Sequence, residues 1–266
     1  MRENKIFILI YFIIGIIAGT LSTTLGIGGG LIFIPSLLFV LPHQLPGETT
    51  IYFIAVATSL FAAVFSSGGA FVNHLRAKNI DLRKALFFLS GSLAAAIFLP
   101  QFMNGVDSTI PKFILLLVLI VSAVKLLFEK QNVERKALFK NDYFLPAIGL
   151  FVGAIAVSTG IGGGVIVVPV LLFLYGMKIN KAIGTSVMVV MTTLIAISIS
   201  YALSSEGHGT GSIGYLNLHA GIPLGVGAVV GSRVGKLLMN KLSASVIKKI
   251  FSLFLLIAII KIILSL

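Results

Sequence analysis

The chain has 266 residues, of which 58% are hydrophobic and only 11% charged. A soluble domain of this size carries about 25% charged residues, so there is too little polar surface here to cover a water-exposed globule. Twenty Lys and Arg against eight Asp and Glu give a net charge of +12, and there is no Cys. Such basicity would suggest nucleic acid in a soluble protein, but here the basic residues lie between apolar runs, as cytoplasmic loops do. The missing thiol excludes disulfides, thiol catalysis and zinc–thiolate centres. The class is an integral, helical membrane protein that crosses the bilayer several times.

In chain order, Arg2 and Lys5 precede an apolar run over 6–25. Alone it would read as a signal peptide, but similar runs recur to the C-terminus. The first half offers apolar segments at 6–25, 31–42, 49–72, 84–101 and 110–128. The second offers 143–160, 164–176, 180–203, 217–239 and 247–265. The second segment of each half is too short to cross a bilayer alone, since twelve helical residues span about 18 Å.

A shift of 134 residues superposes 15–41 on 149–175 with 12 of 27 positions identical. The matches include Gly15 with Gly149, Gly19 with Gly153, both copies of GIGGG, and Pro35 with Pro169. Further on, "ATS" at 57–59 answers "GTS" at 184–186, "IDL" at 80–82 answers "LNL" at 216–218, and Lys125 answers Lys261. The expected organisation is a first membrane repeat (1–128), a cytoplasmic linker (129–142) and a second membrane repeat (143–266).

Basic loops mark the cytoplasmic side. Loop 73–84, linker 129–142, loop 177–181 and loop 236–249 carry them, whereas 102–109 and 204–216 carry none. The linker and loop 177–181 fall on one side, so each half crosses an odd number of times and the halves are expected to be inverted. The expected fold is thus all-α, with two inverted repeats of five helical segments and helices broken at the glycine motifs. Arg2 and Lys5 dissent, because the symmetry would put the N-terminus outside.

Inverted repeats with matched helix breaks point to a transport site at the bilayer midplane. Three glycines followed by a new helix expose N–H groups at its positive end, which favour an anion. The candidate substrate-binding residues are Thr23, Thr24, Gly26, Gly28, Gly29 and Gly30, with Thr58 and Ser59, in the first half. Ser158, Thr159, Gly160, Gly162, Gly163 and Gly164, with Thr185 and Ser186, answer them in the second. Gly15, Gly19, Gly149 and Gly153 fit close helix packing instead, and the hydroxyls fit bonds to their own helices equally well.

At these residues the sequence resembles the TauE/SafE (DUF81, TSUP) family of sulfite and organosulfur-anion exporters. The stretches that carry the likeness are "GIGGGLIFIPSLL", "HLRAKNIDLRKAL", "GIGGGVIVVPVLLFLYGMKINKAIGTSV" and "GVGAVVGSRVGKLL". It spans almost the whole chain and implies a permease for sulfite, a sulfonate such as sulfoacetate, or a related anion in the bacterial cytoplasmic membrane. The first half departs from the pattern at "AVATS", where Ala57 stands for the glycine of the second copy.

Other motifs carry less. "GTGSIG" at 209–214 has the glycine spacing of a dinucleotide loop but neither the strand before it nor a soluble helix after it. His43, His74, His208 and His219 lack metal-ligand spacing, and no metal or cofactor is expected. His74 and Arg233 are weighed as a gate or anion ligand, against an interfacial His and an Arg that snorkels. All eight carboxylates fall at termini, loops or segment ends, which leaves no deep acidic relay for protons or cations. No nucleophile–base–acid cluster suggests an enzyme. The partners expected are a small anion, the lipid bilayer and, as one option, a second copy of the chain. An anion channel and a non-transporting membrane subunit are the alternatives.

Overall fold

The computed structural model describes residues 2–25, 29–103, 106–128, 137–139, 141–204, 212–238 and 244–264. Ten α-helices account for nearly all of them. They are α1 (Arg2–Leu25), α2 (Gly30–Gln44), α3 (Ile51–Arg76), α4 (Leu82–Phe102) and α5 (Thr109–Phe128), then α6 (Leu145–Thr159), α7 (Gly164–Pro169), α8 (Ile179–Ala202), α9 (Leu218–Leu238) and α10 (Ala244–Leu264). A 3-10 turn over Asp142–Phe144 leads into α6, and a π-helical stretch over Val170–Leu174 continues α7. Pro169, which has no N–H to give the preceding turn, sits at that junction. Nine of the ten apolar segments read from the sequence are single α-helices with ends displaced by a few residues, and the seventh, 164–176, is α7 followed by the π-helical stretch.

The departure from an all-helical chain is a small antiparallel hairpin before α9, β1 (Ser212–Ile213) with β2 (Leu216–Asn217). Leu216 and Asn217 are buried, because this hairpin docks against α3. Four helical stretches among the described residues are long and apolar enough to cross a membrane: 51–76, 82–102, 142–159 and 179–202. Many large apolar side chains face outward, among them Leu86, Phe98, Phe113, Phe151 and Ile199, as a lipid-facing surface requires.

The helices pair in matched sets. α1 lies along α9 and α4 lies along α6, while α3 and α8 meet at the centre and α5 lies on α10. The two longest contacts depend on absent side chains. A Cβ on Gly15 would strike the Leu224 carbonyl, on Gly19 the Ala228 carbonyl, and on Gly231 the Ile16 carbonyl. In the other pair, a Cβ on Gly149 would strike the Phe88 carbonyl and one on Gly91 the Pro146 carbonyl. In lipid, where apolar burial does not drive helices together, such backbone-to-backbone approach supplies the packing.

α4 and α9 begin alike. Asp81 Oδ1 accepts from Lys84 N (3.1 Å), and Asn217 Oδ1 accepts from Ala220 N (3.0 Å), so each caps its own helix. The capping residue's own N–H is then held from the other half of the chain. Asp81 N donates to Thr185 Oγ1 (2.9 Å) on α8, and Asn217 N donates to Thr58 Oγ1 (3.1 Å) on α3. Gly184, beside Thr185, makes room for the Asn79 backbone.

Replacing Gly149 with Leu should wedge α4 from α6 at a cost of about 1–3 kcal/mol. The expected readout is a lower thermal midpoint for the purified protein in detergent. An unchanged melt would contradict the packing role.

Candidate functional site

α6 ends at the second glycine motif. Gly160 adopts a left-handed conformation (φ +73°) and its N–H closes on the Ala156 carbonyl. Gly162 and Gly163 also have positive φ, at +82° and +74°, a backbone path open chiefly to glycine. Residues 160–163 are buried. The chain thus turns between two helices inside the apolar body, and every polar backbone group there needs a partner from protein or ligand.

Three of the carbonyls are held by hydroxyls. Tyr201 donates its hydroxyl to the Val157 carbonyl (3.0 Å), Tyr52 to the Ser158 carbonyl (2.8 Å), and Ser59 to the Gly160 carbonyl (2.9 Å). Tyr52 and Ser59 come from α3 and Tyr201 from α8, so both central helices serve the end of α6. The helix starts are built differently. Gly163 O takes Ile166 N and Val167 N, and Gly29 O takes Ile32 N and Phe33 N. Each N-cap is a glycine with no side chain to offer, and the first N–H groups of a helix have no acceptor within it. Gly30, Leu31, Gly164 and Val165 hold those donors.

The two motifs touch. Gly30 packs so closely on Ile161 that a Cβ would strike its carbonyl oxygen. Gly29 lies against the Phe33 ring, with Ser66 Oγ beyond. Gly164 differs, since a Cβ there would meet only Val190 Cγ2, at 3.7 Å. A water-sized void of about 10 Å³ lies against Gly162, between Ser92 and Thr193, whose hydroxyls bond each other at 2.9 Å. In this arrangement, then, the space beside the second motif is closed.

The candidate hydroxyls divide by partner. Ser59 bridges to the second motif. Thr58 and Thr185 accept from Asn217 and Asp81, as given above. Ser158 and Thr159 donate to the Ala154 and Ile155 carbonyls of their own helix, which is the bond back to the backbone that such hydroxyls often make. Ser186 is buried on α8 beside Thr185. Thr23 and Thr24 fall in the last turns of α1, where side chains are not described, and Gly26 and Gly28 lie outside the described residues. His74 stands in the last turn of α3 with a buried Nδ1 that has no hydrogen-bond partner. Arg233 is exposed on α9.

Several groups give no signal in the sequence. Tyr52 and Tyr201 read there as ordinary apolar positions. Asp142 reads as a segment-end carboxylate, yet it is 6% exposed and paired with Lys84 (2.7 Å) and Arg83 (3.1 Å). Lys84 also lies over the Tyr175 ring. A larger cavity of about 230 Å³ opens between α2, α3, α5 and α10, with Lys112 and Lys261 in its wall.

Residues 11–262 match the family described as Sulfite exporter TauE/SafE. A Haemophilus influenzae protein described as "Probable membrane transporter protein" is 30% identical over 257 residues, 94% of this chain and 96% of its own length. Proteins with the same description in Bacillus subtilis and Methanocaldococcus jannaschii are 24% and 28% identical. They cover 92% and 87% of this chain, and 93% and 86% of their own lengths. No solved structure matches the chain.

Tyr201→Phe should strand the buried Val157 carbonyl at a cost of about 1–3 kcal/mol. Denaturant or thermal unfolding of the purified variant measures it, and wild-type stability would remove this bond from the support of the break.

Proposed function

The chain belongs to the sulfite exporter TauE/SafE family, and we propose that it is a permease that exports a small sulfur oxyanion or organosulfonate, such as sulfite or sulfoacetate, across the bacterial cytoplasmic membrane. The observation that carries this reading is the imbalance at the glycine motifs. Acceptors at the end of α6 are taken by Tyr201, Tyr52 and Ser59. At the starts of α2 and α7 the N-cap is a glycine, which has no side chain to hold the first N–H groups. Two positive helix ends with glycine N-caps suit a negative guest, and they do not suit a cation.

The same reading takes the halves as inverted repeats that meet at the membrane midplane. The matched packing supports it: α1 on α9 corresponds to α6 on α4, and the Thr58–Asn217 bond corresponds to Thr185–Asp81. With the motifs in contact, an anion enters only when the helix starts separate. Opening first to one side and then to the other would give alternating access. Asp142, the buried carboxylate among the described residues, is already paired with Lys84 and Arg83. If protons couple, a His or the substrate carries them, and otherwise export runs down the anion gradient and the inside-negative potential. That potential favours anion exit by about 2.3 kcal/mol per charge per 100 mV.

Gly164→Ala is the test. Gly164 has no positive φ and its Cβ position is open, so the variant should insert and melt as wild type does. A methyl group at the start of α7 should cut sulfite efflux from proteoliposomes about ten-fold. A thermal-shift series with sulfite, sulfate, thiosulfate, sulfoacetate and taurine should show stabilisation by one of these anions in wild type and its loss in the variant. Unaltered efflux would remove the start of α7 from the transport path.

A further inference from the structure

Ser and Thr side chains inside membrane helices ordinarily bond to backbone. Here Ser122, Thr159 and Ser198 donate to carbonyls four residues earlier on their own helices. Ser59 and Ser200 donate to carbonyls elsewhere. Ser92 of α4 and Thr193 of α8 depart from that habit. They are 1% and 4% exposed, and their hydroxyls bond each other across the two halves of the chain at 2.9 Å. One of the two hydroxyl hydrogens makes that bond. The other has no acceptor among the described residues.

The pair borders the void against Gly162, whose volume of about 10 Å³ is close to what one water needs. The other side chains in that wall are apolar, among them Phe88, Val152, Val167 and Val189. Val190 also lines the void, and it is the residue that a Cβ on Gly164 would meet. One side chain thus borders both the void and the start of α7.

The first half lacks such a pair. Thr58 holds Asn217 as Thr185 holds Asp81, so Ser66 takes the place of Thr193, eight residues further along each helix. Gly15 packs on Leu224 and Ala228 as Gly149 packs on Phe88 and Ser92. Ala228 therefore takes the place of Ser92. Ser66 lies beside Gly29, as this equivalence requires, but donates to the Ala63 carbonyl three residues back (3.0 Å). Ala228 offers it no hydroxyl to meet.

We propose that Ser92 and Thr193 are substrate ligands, a neutral pair of donors for the anion's oxygens that the second half of the site has and the first half lacks. Entry of the anion beside Gly162 parts the pair, and the two O–H groups turn from each other to its oxygens. The proposal rests on the permease reading for its ligand, and on the hydroxyl pair and its void for its place.

Ser92→Ala combined with Thr193→Val removes both hydroxyls and strands neither, so the double variant should melt as wild type does without ligand. The purified full-length protein is titrated with sulfite, sulfate, thiosulfate, sulfoacetate and taurine. Affinity is read from the concentration that gives half the maximal thermal shift. The double variant should bind the tightest of these anions at least about ten-fold more weakly, as loss of a hydrogen bond to an ion requires. Thr193→Ser, which keeps the hydroxyl, should stay within about two-fold of wild type. Ser66→Ala should also keep wild-type affinity, because its hydroxyl serves its own helix. In proteoliposomes, the KM for efflux of the same anion should follow these affinities.

A folded double variant that binds as wild type does overturns the proposal, as does an equal loss in Ser66→Ala. If the double variant does not fold, Thr193→Val alone decides by the same readout, since Ser92 can then bond back to its own helix. Wild-type protein that neither binds nor moves any of the five anions overturns the permease reading and this proposal together. Weakened binding in the double variant, with normal efflux in Gly164→Ala, leaves the hydroxyl pair standing and removes the start of α7.

Discussion

A helix that stops inside an apolar layer leaves carbonyls at its end, and the helix that follows leaves N–H groups at its start; lipid can serve neither. The break between α6 and α7 is built around that demand. Three hydroxyls from two other helices close the carbonyl side, at Val157, Ser158 and Gly160. The N-cap of the following helix is a glycine with no side chain to offer its donors, as is that of α2 against which the break packs. In the proposed reading, that difference favours a negative guest.

The remaining architecture holds the two breaks together. α3 and α8 pass through the centre and lend Tyr52, Ser59 and Tyr201 to the end of α6. They also lend Thr58 and Thr185 to the starts of α9 and α4. Tyr201 serves its own half, but the bonds of Tyr52, Ser59, Thr58 and Thr185 cross between the halves of the chain, so neither half is satisfied alone. Around this centre, glycine-backed contacts bring α1 to α9 and α4 to α6 at backbone distance.

The positions of the helices were legible in the sequence because apolar runs long enough to matter alternate with basic or glycine-rich breaks. The packing role of Gly15, Gly19 and Gly149 was legible for a related reason: glycine in a membrane helix has few other uses. The partners of the hydroxyls were not legible. Tyr52 and Ser158 are 106 residues apart, and a tyrosine among apolar neighbours looks the same whether its hydroxyl is bonded or wet. Asp142 reads as a loop carboxylate until Lys84, 58 residues away, is found against it. Lys261 reads as an anchor because distance from a helix end says nothing about a cavity beside it. The hairpin before α9 escaped notice because two-residue strands leave no periodicity to detect.

Anomalous diffraction from crystals soaked in selenite, a heavier analogue of sulfite, addresses the donor imbalance most directly. The account predicts a selenium peak within hydrogen-bonding distance of the Gly164 and Val165 N–H groups, with the start of α2 drawn back to admit it. A protein that transports selenite yet shows selenium only beside Lys261, with Gly30 still seated on Ile161, would contradict it.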